Sequence, residues 1–205
     1  DIPAPPQLLE AWMLFQAGDA RLACVQSPLA IANFRKNWLT ALFAVEYGGL
    51  FRGMVPFLDR LNLPIPLGGT SNHFRRNALI EVGGWDPYNV TEDADLGFRL
   101  YRAGYRTKAA FFATIEVAPE NLGDWLNQRS RWLKGWAQTW LVLMRQPVRV
   151  FHQLGMRGFL TTQILIAGML VSTLAHPLMY LFIAVFSIQL LSGQAGTADP
   201  FHIAL

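Results

Sequence analysis

"NVTEDADLGFRLYRAGYRT", residues Asn89 to Thr107, sets the carboxylates Glu92, Asp93 and Asp95 at the head of a stretch with helically spaced apolar residues, Leu96, Leu100 and Tyr101, closed by Gly104. The pattern predicts a helix capped by Thr91, with acids in the first turn where the helix dipole favours negative charge. The dipole accounts for two acids more easily than for three. Adjacent carboxylates repel, so one of them calls for a nearby cation or a functional role. Beyond the helix, "YRTKAAFFATIEVAPEN" alternates enough for one or two strands with a turn at Ala118-Pro119-Glu120, and a long helix is expected from Leu122 to about Arg145.

Toward the N-terminus, helical periodicity covers Leu8 to Ala17 and closes at Gly18, and Leu22 to Gln26 reads as a short strand ended by Ser27-Pro28. Aromatic and aliphatic residues then recur with helical spacing from Ile31 to Arg52, ending near Gly53. "NLPIPLGGTSNHFRRNALIEVGGW" adds a strand-like stretch and a short helix, Asn77 to Val82, stopped by Gly83-Gly84. Its glycine pairs make tight turns or let the backbone come close to a ligand. His73 has no ligand-spaced partners and reads as a hydrogen-bonded loop residue. Helices and strands in this order predict an α/β class, with no repeats and no low-complexity tract.

The 205 residues are 52% hydrophobic and 15% charged, with a mean hydropathy of +0.24, more apolar than an ordinary soluble domain. No charge occurs between Arg157 and Asp199, and Gly158 to Gly193 exceeds the roughly 20 residues that cross a bilayer. His176-Pro177 interrupts this run. It reads as one kinked helix or as two, Phe159 to Ala175 and Leu178 to Leu191, and the proline favours two; a buried hairpin in a large soluble core is the other reading. Arg145, Arg149 and Arg157 precede it and place the preceding part on the cytoplasmic side. A net charge of +3 without a basic, aromatic-interleaved block argues against nucleic acid. The single Cys24 fits a reducing compartment. "DIPAPPQ" has no signal-peptide character, so the chain is expected to begin, and at "PFHIAL" to end, inside a longer protein.

On the long helix, Gln128, Arg131 and Trp132 fall at i, i+3 and i+4 and share a face. An aromatic plate stacks on sugar rings, and a guanidinium pairs with phosphate. Trp132, Trp136 and Trp140, beside Arg129, Lys134 and Arg145, equally suit a helix lying in a membrane interface. Both readings stay open on spacing alone.

Taken as an ordered pair, Thr91-Glu92-Asp93 and Gln128-Arg129-Ser130-Arg131-Trp132, followed by apolar helices, resemble the T-E-D and Q-x-x-R-W motifs of the processive, membrane-bound family 2 glycosyltransferases, the group that contains bacterial cellulose synthase. "GGTSNHFRR" resembles that family's segment lying along the acceptor sugar. The resemblance spans Leu22 to Leu191. It implies part of a GT-A-type α/β domain followed by transmembrane helices. Residues 1–121 would be the acceptor-side part of the catalytic domain, 122–157 amphipathic interface helices, 158–193 the transmembrane segment or segments, and 194–205 a tail or the start of a loop. Asp93 would be the general base. Gln128, Arg131 and Trp132, with Gly68, Gly69, Thr70 and Glu92, would bind acceptor and donor, while Glu92 and Asp95 would help fix the helix.

The implied reaction is inverting transfer from a nucleotide sugar, UDP-linked, to a growing β-glycan that passes into a membrane channel. Implied partners are the nucleotide sugar, the polysaccharide, the bilayer and accessory export subunits, in a plasma (inner) membrane with the catalytic part cytoplasmic. A divalent metal, Mg or Mn, is expected for the full-length enzyme with its ligands outside this chain, so the chain alone would be incomplete and inactive. The competing functions are a non-catalytic membrane subunit or scaffold, and a non-processive transferase using a lipid-linked acceptor.

Overall fold

The computed structural model describes residues 1–192; the expected tail 194–205 lies outside them. Strand β1 (Ile2–Pro3) leads into α1 (Gln7–Gln16), then β2 (Leu22–Gln26) and β3 (Leu29–Ile31). Every residue of β2 is buried, as its unbroken Leu-Ala-Cys-Val-Gln sequence requires. β2 pairs antiparallel with β4 (Asn72–Phe74) and parallel with β5 (Arg106–Ala109). After Ser27-Pro28 the chain changes sheet. β3 runs parallel to β6 (Thr114–Glu116), which pairs antiparallel with β1. The two three-stranded sheets thus have the orders β4-β2-β5 and β1-β6-β3.

Helix α2 (Trp38–Gly48) begins with a reciprocal cap, Asn37 Oδ1 accepting from Thr40 N–H at 2.9 Å and Asn37 N–H donating to Thr40 Oγ1 at 3.1 Å. The helix does not stop near Gly53. A π-helical stretch, Gly49–Met54, carries it into α3 (Val55–Arg60). One stripe explains this: Leu39, Phe43, Tyr47, Phe51, Val55 and Leu58 are all buried against the main core. A glycine costs a helix only about 1 kcal/mol, less than burial of one large apolar side chain contributes.

The short α4 (Arg76–Glu81) ends before Gly83 and Gly84, both at positive φ. The acid-headed helix α5 (Glu92–Arg102) closes at Gly104, φ +86°. Thr91 stands at its N-cap position without capping it: its own N–H donates to Asn89 Oδ1 at 3.1 Å. His73 lies in β4 opposite Val25, not in a loop, and its Nε2 is buried without a hydrogen-bond partner. That burial holds the imidazole below its ordinary pKa.

From Leu122 the long helix α6 (Leu122–Leu143) runs to α7 (Pro147–Thr162), which is turned at Gly155 (φ +67°), and a second π-helical stretch, Gln163–Ala167, leads into α8 (Gly168–Leu191). Phe98, Leu143, Val150, Leu154 and Ile166 form a second core that docks this assembly on α5. Past Ile166 no residue of α8 is buried. The two-segment reading is overturned, because α8 passes through Pro177 unbroken. His176 Nδ1–H donates to Ser172 O at 2.6 Å and Thr173 Oγ1 to Met169 O at 2.9 Å within the same helix.

Candidate active site

A cavity of about 380 Å³ opens between α2, the loop before β4, the head of α5, the end of β6 and the middle of α6. Gly68, Gly69, Thr70, Glu92, Asp93 and Trp132 all line it, so six of the residues expected from sequence come together. Gln128 and Arg131 do not. Arg131 is exposed on α6, and Gln128 is half-buried with its Oε1 unpartnered. Sharing a helical patch with Trp132 was not enough, because the cavity meets α6 along Trp132 and Trp136.

The loop carrying Gly68-Gly69-Thr70 is held by the buried Gln26 at the end of β2. Gln26 Oε1 accepts from Gly68 N–H at 2.8 Å, and its Nε2 donates to Thr70 O at 3.1 Å. Asn72 Nδ2 donates to Gly68 O at 2.5 Å. A Cβ on Gly69 would sit 3.2 Å from Asp93 Oδ2, and one on Gly68 would sit 3.0 Å from the Phe51 ring. The glycine pair therefore lets backbone approach the carboxylate closely.

Asp93 Oδ1 accepts from Ala94 N–H at 2.8 Å, and the carboxylate has no ion-pair partner among the described residues. Burial pushes its pKa above the usual carboxylate range; the Ala94 N–H pulls it back in part, and the neighbouring Glu92 pushes it further up. The N-terminus of α5 favours the ionised form, and burial opposes it. Asp95 turns away from the cavity, buried, with Arg99 Nε 2.7 Å from its Oδ2. Arg99 also donates to Val82 O at 2.7 Å and so ties α5 to the glycine turn.

Helix α6 is fixed to this acid head by close approach. A Cβ on Gly135 would meet Thr91 at 2.5 Å, and Asn89 Nδ2 donates to Thr139 Oγ1 at 2.8 Å. The same Asn89 holds Thr91, so one asparagine links both motifs. Arg129 clamps the other end. It pairs with Glu46 of α2, and its guanidinium lies 4.7 Å from the Trp132 ring centre and 5.0 Å from that of Phe43. Trp132 is thereby held against α2, its ring 6.4 Å from that of Phe43 and tilted by 50° to it.

Trp132, Trp136 and Trp140 of α6 pack against the protein. Trp136 lines the cavity and meets Phe98 edge to face at 6.5 Å; Trp140 donates Nε1–H to Gln163 at 2.9 Å in the second core. All three rings turn into the protein. Tyr47, Phe51 and Glu116, not singled out from sequence, also line the cavity, as does Asp1. Tyr47 and Phe51 continue a visible spacing from Phe43, whereas nothing local marked Glu116 or Gln26.

Four acids, Asp1, Glu92, Asp93 and Glu116, face the cavity and no lysine or arginine lines it. Among the described residues, no three His, Cys, Asp or Glu side chains are grouped to hold a metal ion. A metal centre therefore does not fit the residues present.

A half-buried carboxylate thus faces an aromatic wall on a two-sheet α/β frame. The frame is a GT-A-type fold: it superposes on the mannosyltransferase from Pyrobaculum calidifontis in complex with GDP-Man and Mn2+ with a TM-score of 0.50 and 16% identity, over 92% of this chain and 52% of that one. Residues 3–196 match the family described as glycosyl transferase family group 2, and the chain belongs to that family. It is 36% identical over 126 residues to the cellulose synthase catalytic subunit [UDP-forming] of Pseudomonas fluorescens, covering 58% of this chain and 17% of that protein. To the poly-beta-1,6-N-acetyl-D-glucosamine synthase of Staphylococcus aureus it is 29% identical over 118 residues, covering 57% of this chain and 28% of the relative. The match thus spans well under a third of either relative's length.

Proposed function

We propose that this chain is the acceptor-side part of an inverting glycosyltransferase that extends a β-glycan from a nucleotide sugar, UDP-linked as in the relative whose name says UDP-forming. The observation that carries this is Asp93: a half-buried carboxylate with no ion-pair partner among the described residues, sharing one cavity with Trp132 and the close-approaching Gly69. A sugar ring stacked on the aromatic wall presents a hydroxyl to Asp93. As that oxygen bonds to the anomeric carbon of the donor, its proton passes to Asp93, and the bond to the nucleoside diphosphate breaks on the opposite face. Burial raises the basicity of the carboxylate, and this favours proton transfer as long as the group is ionised.

The family's structural neighbour holds Mn2+, and a divalent ion in the whole enzyme would offset the charge of the leaving diphosphate. The residues described here supply no such site, and no step above depends on one. Helix α7 and α8 together are long and apolar enough to cross a membrane, and their most apolar part is wholly unburied. We take this as the membrane-spanning part, with the catalytic part cytoplasmic on the side of Arg145, Arg149 and Arg157. Passage of the product through a membrane channel and any accessory export subunits belong to the same reading.

The test uses the full-length protein in membrane vesicles, supplied in turn with UDP-glucose, UDP-N-acetylglucosamine and GDP-mannose. Polymer should form with a UDP-sugar, and Asp93→Asn should lower turnover on the order of a hundredfold to ten-thousandfold with normal membrane abundance. Near-normal turnover in Asp93→Asn, or transfer from none of the donors, would overturn the reading.

A further inference from the structure

Glu116 belongs to neither motif of the family resemblance, and the reaction just described gives it no task. It ends β6, where its register with Ile31 and the bond from Ala32 N–H to its carbonyl, 2.8 Å, fix the backbone and so the direction of the side chain. The side chain lines the same cavity as Asp93, Tyr47 and Trp132. Its Oε2 is shielded from water and accepts no hydrogen bond. A buried carboxylate oxygen left without a donor is costly, and proteins seldom keep one unless something else completes it.

Because the Glu116 side chain lines the cavity, a ligand seated there can bring a donor to its carboxylate. No lysine or arginine lines it, and the nearby acids do not group into a set of metal ligands. A neutral donor remains, and a polyhydroxylated ring is the neutral donor that an aromatic wall favours. We propose that Glu116 is a second ligand-binding carboxylate of this cavity, accepting a hydrogen bond from one ring hydroxyl of a hexose seated between it and Asp93. It sets which hydroxyl pattern the site accepts, while Asp93 takes the proton. Burial also lifts the Glu116 carboxyl above its ordinary pKa. A hydroxyl that both donates and accepts satisfies the group in either protonation state.

The inference rests on the glycosyl-transfer reading, and the hexose is either the donor's sugar or the acceptor's terminal ring. Full-length enzyme in vesicles is assayed with nucleotide sugars each lacking one ring hydroxyl, and separately with short β-glycan acceptors each lacking one hydroxyl on the terminal ring. The ratio of kcat/KM between native and deoxy substrate is independent of how much enzyme is active, so partial misfolding does not obscure it. In the parent enzyme one deoxy position should cost about ten- to a hundredfold, the range for hydrogen bonds to a charged group. In Glu116→Ala that one penalty should shrink to about a few-fold while the others persist. Glu116→Gln, which keeps the shape and an accepting oxygen, should fall between.

The arm in which the penalty collapses identifies the donor or the acceptor as the partner. Unchanged penalties in both arms sink this proposal alone. If the parent enzyme turns over no nucleotide sugar, the transfer reading falls and takes this proposal with it.

Discussion

Two helical regions of this molecule are each long and apolar enough to cross a membrane, Trp38–Arg60 and Pro147–Leu191, yet they do opposite things. The first turns a continuous stripe, from Leu39 to Leu58, into the main core and supplies Tyr47, Leu50 and Phe51 to the wall of the active-site cavity. The second gives its opening turns to the fold, down to Ile166, and then has nothing buried from Gly168 to Leu191. Composition treats them alike. What separates them is cover: the fold buries one side of the first and no side of α8, and a helix apolar on every side and covered on none needs an apolar solvent.

The largest test of that contrast removes one phenylalanine from each. Phe43 is fully buried and lies against the Arg129 guanidinium, while Phe182 is 65% exposed. Phe43→Ala should destabilise the catalytic fold by about 3 to 5 kcal/mol, the range for a buried aromatic. Phe182→Ala should change it by less than about 0.5 kcal/mol. Thermal unfolding of the full-length protein in detergent decides. Similar losses in both would mean that α8 packs on the fold.

A charge asks the complementary question. Phe182→Arg should leave the unfolding of the catalytic fold unchanged but disfavour membrane insertion, on the order of 2.5 to 3.5 kcal/mol for an arginine near mid-bilayer. The readout is the fraction recovered in carbonate-washed membranes. Full retention of Phe182→Arg would remove the spanning role of α8.

The sequence carried the parts of this picture that depend on neighbours along the chain. The helix headed by Glu92, its stop at Gly104 and the buried β2 strand all follow from local pattern. The T-E-D and Q-x-x-R-W segments meet at the cavity lined by Asp93 and Trp132, because Gly135 and Asn89 bring them together. Where tertiary packing competes with local rules, the reading failed. The α2 stripe overrode the glycines at 48, 49 and 53, and the second core drew Trp136 and Trp140 inward. Arg131 and Arg129 are indistinguishable by spacing alone; Glu46, more than eighty residues away (|i−j| = 83), decides that Arg129 is the one held inside. Glu116 and Gln26 carry no local mark, since the cavity exists only once both sheets have formed.

Because the packed helix walls the cavity, it also contributes to the titration of Asp93. A carboxyl raised by burial adds stability that is complete below its unfolded pKa and lost as pH rises through its folded one. Activity runs the other way, since the base must be ionised. The acid limb of the pH profile of kcat/KM should therefore lie above the ordinary carboxylate value. Leu50→Ala, which thins the wall and admits water, should move that limb to lower pH, and Phe182→Ala should not. An unmoved limb in Leu50→Ala would show that other residues dominate the desolvation.

The smallest expected effect is the most exacting. Val45 lies on the outward side of α2 and is 74% exposed, with Trp38 and Leu42 on the same side also uncovered. If α2 owes its apolar character to its inward stripe, its outward side carries no obligation to be apolar. Arginine is a good helix former and its stem covers neighbouring apolar surface, so Val45→Arg should shift stability by no more than about 0.5 kcal/mol and leave membrane recovery unchanged. The comparison with Phe182→Arg then rests on identical chemistry at two exposed apolar positions. A marked loss of folded protein or of membrane recovery in Val45→Arg would show that something apolar covers this side of α2. The division between a core helix and a membrane helix would then have to be redrawn along the two faces of α2 itself.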